Sequence, residues 1–333
     1  MKRFALGLMR GCGIFALARN LSANMARILT YHNFCGPEGD SFEAVGTALL
    51  RSQLEYLKRH YRVVPLAELI ARLHLNRPID DRTVVMTIDD GRRNCYEFLF
   101  PLLQEFEVPA TFFVVSSFIR KEDWLWTDKV LWLSEQPSFP STLDRDRLDV
   151  LFRELDCLRP EMRNARIGEL AETMDLSLPK QAPPKYAACS WDELRTMTDS
   201  GLVEIGSHTV SHPILASISD EESWDEISKS RTQIEEGVGS RVVSFCFPNG
   251  KLRDYRQSQI LQVKDAGYSC AVVTEPGMVS QGGDLFQLPR IGVSGRCDPL
   301  IFAKSIDGAE YYQERIQASV RPPAQSRSMN GAV

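Results

Sequence analysis

The sequence is notable first for what it does not contain. None of its eight cysteines (Cys12, Cys35, Cys95, Cys157, Cys189, Cys246, Cys270 and Cys297) forms a Cys-x-x-Cys pair, which excludes a zinc ribbon and a thioredoxin-type redox motif. Their scatter suits buried, reduced thiols better than a disulfide framework, although the even count leaves disulfides open. No apolar run is long enough to span a bilayer. Positive charge is not in excess: the net charge is −5, which argues against bulk affinity for nucleic acid. Histidine is scarce, five in 333 residues, and none follows His212. There is no internal repeat. What remains is 43% hydrophobic and 25% charged, ordinary globular composition for one large domain or a domain with insertions.

Residues 1–26 form a basic segment of their own. From Met1 to Arg27 there are Lys2, Arg3, Arg10, Arg19 and Arg27 and no acidic residue. Three readings compete. A signal peptide would end near Ala16-Leu17-Ala18, but Arg10 interrupts its apolar core. A basic amphipathic helix would make peripheral contact with an anionic membrane through residues 1–27. The favoured reading is a helix packed on the domain. Without a recognisable export signal the expected location is the cytoplasm, near the inner membrane surface, with the periplasm as the alternative.

From Arg27 onward, apolar runs alternate with helical periodicity, which predicts an α/β fold with a parallel sheet over residues 27–320. Strands are expected at Arg27–His32, Tyr61–Val64, Thr83–Met86, Ala110–Val115, Leu202–Gly206, Val242–Phe247, Ser269–Thr274 and Leu288–Val293. Helices are expected at Phe42–His60, Leu66–Leu75, Tyr96–Phe106, Trp191–Thr198, Glu221–Glu236 and Asp254–Ala266. Ser190 and Glu193 stand at capping-box spacing. Residues 121–187 break the rhythm. They read as a helical insertion, with helix at Lys129–Glu135 and Arg145–Leu176, returning through a proline-rich loop. The composition of residues 321–333 predicts a disordered tail.

Two stretches carry chemistry. Thr87-Ile88-Asp89-Asp90-Gly91 ends the Thr83–Met86 strand with paired carboxylates, which cannot both ionise freely without a cation or hydrogen bonds. Far downstream, Ser207-His208-Thr209-Val210-Ser211-His212-Pro213 places two imidazoles four residues apart, a spacing that lets both bind one metal. Pro213 favours a loop or single turn there over a long helix. One carboxylate and two imidazoles leave an open position on zinc, and the second carboxylate is left free to act as a base.

These two stretches, together with Phe245-Cys246-Phe247-Pro248-Asn249-Gly250, resemble in order the first three motifs of the polysaccharide deacetylases, also called the NodB-homology or carbohydrate esterase family 4 enzymes. The resemblance spans roughly residues 27–300 outside the insertion. It implies a distorted (β/α) barrel with its site at the C-terminal strand ends. It implies Asp89 as general base, and Asp90, His208 and His212 as ligands of Zn2+ or another divalent metal. It implies a main-chain oxyanion donor at Asn249, beside Pro248 on the substrate side. The expected activity is hydrolytic removal of an N-acyl group, most simply acetyl, from an amino sugar of a polysaccharide or lipid-linked glycan. Two departures stand out. Cys246 occupies a position where the family often has Arg, and the late histidine that serves as general acid is missing. His32 is the candidate for that role or for a supporting one, although an ordinary hydrogen-bonded histidine fits equally well. Arg290 is a candidate to pair with Asp89 and keep it ionised, with a surface salt bridge as the equal alternative. Trp124 and Trp126 of the insertion are candidates for stacking on a sugar ring, whereas helix-core packing is expected for Trp132. The alternatives are a catalytically weak glycan-binding relative, supported by the missing histidine, and a barrel amidohydrolase for a small non-sugar amide.

Overall fold

The computed structural model describes residues 2–37, 44–139 and 145–320. Seven parallel strands close into a ring: β1 (Arg27–Tyr31), β2 (Thr83–Ile88), β3 (Ala110–Val114), β4 (Val203–Ser207), β5 (Ser244–Cys246), β6 (Cys270–Pro276) and β7 (Leu288–Gly292). β1 closes it, pairing with β2 from Arg27↔Val84 to Tyr31↔Ile88 and with β7 at Leu29↔Ile291 and Thr30↔Gly292. The short strand Arg62–Val63 pairs only with the start of β2. The ring is a distorted (β/α) barrel. β4 and β5 meet through the single pair Ser207↔Phe245, and the β6–β7 register shifts between Leu288 and Arg290.

Alternation along the strands sorts their side chains between two cores. Ile28, Val85, Phe113 and Cys246 share one cluster with Leu66, Leu69 and Ile70 of the helix Leu66–His74. Their neighbours Leu29, Met86, Phe112 and Phe245 join the larger cluster formed with the outer helices. Strands buried on both faces need continuous apolar runs, and all six residues of β2 are buried. Each large side chain so buried stabilises the fold by roughly 1.5–3 kcal/mol.

The N-terminal segment forms two helices, α1 (Lys2–Gly11) and α2 (Ile14–Leu21), outside the ring. Phe15 and Ala18 of α2 pack with Ala303 and Ala309. Arg19 reaches the buried Asp307 at 3.2 Å, and the buried Arg27 donates to the carbonyls of Ser22, Met25 and Ile306.

Between β3 and β4, and flanked by the helices Ser116–Ile119 and Trp191–Asp199, the described residues of the insertion make three α-helices: α3 (Trp126–Ser134), α4 (Arg145–Asp156) and α5 (Pro160–Thr173). The single stretch expected over Arg145–Leu176 is broken because Pro160 lacks an N–H and starts a new helix. The expected helix Tyr96–Phe106 is a π-helical turn, Cys95–Leu99, running into an α-helix, Phe100–Phe106. Of the helix expected over Phe42–His60, residues 42 and 43 lie outside the described residues, Ala44 is in a bend, Val45–Gly46 form a short strand instead, and the helix runs Thr47–His60. Of the cysteines expected to be buried, Cys12 and Cys157 are exposed. The helix α6 (Asp220–Val238) follows β4, while α7 (Pro299–Ile306) and α8 (Ala309–Val320) follow β7. The tail 321–333 lies outside the described residues.

Candidate active site

β2 ends where Asp89 meets a cation delivered by β7. Arg290 donates to both carboxylate oxygens, at 2.8 and 2.7 Å, and to Thr87 Oγ1, the Val273 carbonyl and Cys246 Sγ. Both side chains of the pair are almost wholly buried. Burial opposes ionisation of Asp89, but the Arg290 guanidinium outweighs it and holds the carboxyl well below the usual carboxylate range. Thr30 and His32 approach the same carboxylate, with His32 Nε2 at 3.7 Å from Oδ2.

Asp90 turns the other way because its backbone does. Its φ is +78°, a left-handed conformation rare outside glycine. Arg92 grips Oδ2 through Nε (3.2 Å) and Nη2 (3.1 Å) and is itself anchored on Asp128. That leaves Oδ1 facing His208 Nε2 and His212 Nε2, at 3.8 Å from each; the two nitrogens are 3.2 Å apart. Donors about 2.0–2.1 Å from a tetrahedral ion stand about 3.3 Å from one another, so these three fit zinc with small adjustment. His208 Nδ1 lies 2.8 Å from the Cys246 carbonyl. Donation to that carbonyl leaves the Nε2 lone pair free for a metal. Burial lowers both imidazoles, His212 to about 3 with the neighbouring His208 contributing, which favours the neutral rings that a metal would need. Burial first, then Arg92, sets the balance at Asp90, whose carboxyl stays below its ordinary range. Asp89, His208 and Cys246 are also within ligating distance of one another. That alternative is the poorer site, because Arg290 occupies its carboxylate and burial raises its thiol well above the usual range.

The histidine loop is held under strain. Thr209 (φ +69°) and His212 (φ +59°) are both left-handed, at a cost of order 1–3 kcal/mol each. Glu226 of α6 offsets this. Its carboxylate accepts the Val210 and Ser211 N–H groups at 2.8 and 2.9 Å and the Ser211 hydroxyl at 2.6 Å. The carbonyls of Thr209 and Val210 accept N–H groups of Ser116 and Ser117 beyond β3. Arg92, Asp128 and Glu226 were not singled out in the sequence, where no local pattern marks them.

A cleft of about 770 Å³ opens over the site, lined by Asp89, Asp90, His208, His212, His32 and Asn249. The insertion supplies part of its wall, with Trp126, Arg153 and Asp156. Asn249 (φ +56°) gives its side chain to Asp156 at 2.5 Å, and its N–H meets no acceptor among the described residues. Three expected positions differ. Trp124 is 4% exposed, packs on Trp132 and Tyr186, and lines a separate cavity of about 350 Å³ rather than this cleft. Trp126 does line the cleft, but it is 7% exposed with Arg163 4.7 Å from its ring centroid, so it offers an edge rather than an open stacking face. Pro248 is buried behind the wall, where its carbonyl accepts the Gly250 N–H.

A family model described as polysaccharide deacetylase matches residues 76–271, more than half of the chain and inclusive of both ligand stretches. The chain belongs to the polysaccharide deacetylase family. Proteins of this family are hydrolases acting on the amide bonds of N-acetylated sugars. Poly-β-1,6-N-acetyl-D-glucosamine N-deacetylase of Escherichia coli K12 is 32% identical over 93 residues, 27% of this chain and 14% of that protein. The chain thus aligns with about a seventh of that relative's length. Among solved structures, the Streptococcus pyogenes deacetylase PplD matches with a TM-score of 0.59 at 18% identity, covering 85% of this chain and 98% of that one. IcaB from Ammonifex degensii matches with the same score and identity, covering 85% and 97%. At this identity the likeness establishes the deacetylase barrel fold.

Proposed function

We propose that the protein removes the N-acetyl group from an amino sugar of a polysaccharide, with one divalent metal held by Asp90, His208 and His212. The observation that carries this reading is the convergence of three neutral-or-anionic ligands beside a second carboxylate kept ionised by its own arginine. Zinc suits two imidazoles and one carboxylate best. A metal there supplies Lewis acidity to a water and to the amide carbonyl.

The chain's own groups perform the rest. Asp89 takes a proton from the attacking water while Arg290 stabilises its charged form. The new C–O bond forms at the acetyl carbon, and in this reading the Asn249 N–H donates to the oxygen that gains charge. The C–N bond then breaks, and the amine leaves with a proton that His32 can supply from the cleft side of Asp89. The products are acetate and a free amino sugar.

The E. coli relative makes β-1,6-linked N-acetylglucosamine the first substrate to test. Acetate release is measured from β-1,6-linked N-acetylglucosamine oligomers, chito-oligosaccharides and small amides. The expected result is release from the oligomers, reduced about 10²–10⁴-fold in Asp89→Asn. Release from small amides alone would contradict the sugar substrate. Binding of oligomers with no release from any substrate would make the protein a glycan-binding relative.

A further inference from the structure

The active site accounts for none of the apolar surface at the N-terminus. Eleven large apolar side chains are exposed among the described residues, and five of them lie within the first twenty-one: Phe4, Leu8, Ile14, Leu17 and Leu21. Phe4 is 78% exposed, and Leu8, Leu17 and Leu21 about 60%. They are ordered. Phe4 and Leu8 stand four residues apart on α1, as do Leu17 and Leu21 on α2, with Ile14 three before Leu17; such spacings align on one helix face. The opposite faces are already used, because Leu6, Met9, Phe15 and Ala18 pack toward α7 and α8. The outward row therefore has no packing partner among the described residues.

The charge carried by this segment has one sign, although acids of the domain stand beside it: Asp298 and Asp307 pair with Arg3 and Arg19, and Glu55 lies near Arg10. Residues 1–27 contain no acid. Arg10 is exposed at the end of α1 and lines, with Arg59, His60 and Glu55, a cavity of about 200 Å³. Lys58 and Arg59 are exposed beside it. Apolar rows flanked by arginine and lysine are the composition of helices that lie in a lipid interface, where acyl chains take the apolar face and anionic headgroups the cations. At the other end of α1, Arg3 pairs with Asp298 at 2.9 Å, two residues beyond the cleft-lining Arg296.

We propose that α1 and α2 are a membrane-docking face that seats the protein on an anionic lipid surface with the rim of its cleft close to the bilayer. Glycan emerging from, or anchored in, that membrane would then meet the cleft. The docking is separate from catalysis, since none of these side chains reaches the ligand cluster.

The test is flotation of the purified full chain with vesicles of phosphatidylcholine alone and of phosphatidylcholine mixed with phosphatidylglycerol. Phe4→Asp/Leu17→Asp and Arg10→Glu/Arg59→Glu are run alongside, with melting temperature as the control for folding. The expected result is flotation with the anionic vesicles and not with the neutral ones, weakened at least about fivefold in each double variant. Wild-type protein that stays at the bottom with anionic vesicles overturns the proposal without reference to any variant. So does equal flotation of the folded variants. A dimer by size-exclusion chromatography that Phe4→Asp/Leu17→Asp converts to monomer would assign the face to a second copy of the chain instead.

Discussion

Asp89 and Asp90 are adjacent, buried carboxylates held in different environments by two different arginines. Arg290 keeps Asp89 charged and Arg92 fixes one oxygen of Asp90, leaving the other turned toward His208 and His212. Removing one partner of such a buried pair leaves an uncompensated charge, so Arg290→Met is expected to destabilise the protein by about 3–5 kcal/mol in denaturant unfolding. The pH dependence follows from the sign of the shift. Asp89 is depressed in the folded state, so its pairing contributes full stability above the unfolded carboxylate value, about pH 4, and loses it as pH falls toward the lower folded value. Between pH 5 and pH 3 the wild type should therefore lose stability relative to Asp89→Leu/Arg290→Met; parallel curves would contradict this. Glu226 acts at one remove, by holding the histidine loop. Glu226→Ala should weaken zinc affinity about 10–100-fold in chelator competition, and unchanged affinity would remove it from that role. The four residues around the ligand cluster were legible because each lies in a short local motif. Glu226, Arg92 and Asp128 were not, because a buried carboxylate on a helix face or an arginine after a turn looks like any solvated charge until the fold shows its partners.

At the scale of elements, the strand-to-loop turns decide whether the site exists. Gly91 follows the two carboxylates with φ +89°, and a Cβ there would lie 2.9 Å from Ile119 and 3.1 Å from Val114. Gly91→Ala is expected to cost more than 1 kcal/mol of stability and to lower zinc binding, since the strained turn aims Asp90. α6, which carries Glu226, begins with a capping box between Ser219 and Glu222, so Ser219→Ala should cost about 1 kcal/mol by thermal or chemical unfolding. The capping box at Ser190 was readable from spacing alone, and the strands were readable from their β-branched runs. Helix ends in the insertion were harder, because Pro160 permits both a kinked helix and a fresh start, and only packing on Trp126, Val130 and Leu133 decides.

For the molecule as a whole, the insertion and the barrel share one cleft. Asp156 at the end of α4 holds the Asn249 side chain and so reaches across from the insertion to the residue proposed as the oxyanion donor. Asp156→Ala should lower kcat on the order of 10- to 10²-fold with zinc content unchanged, a positioning effect that kinetics with metal analysis would separate from loss of the site. This contact joins residues 93 apart and has no sequence signature, whereas the parallel α/β sheet was legible because strand and helix alternate outside residues 121–187, and its closure into a barrel was implied only by the family resemblance. The same distance argument explains Trp124, which looks like a sugar platform in the sequence but is enclosed by Trp132 and Tyr186 once the insertion folds. The central claim is that Asp90, His208 and His212 hold a metal, and elemental analysis of the purified chain tests it without knowledge of the substrate. About one zinc per chain, absent in His208→Ala/His212→Ala, is the predicted result. A wild-type protein that takes up no metal even from excess zinc would contradict the account.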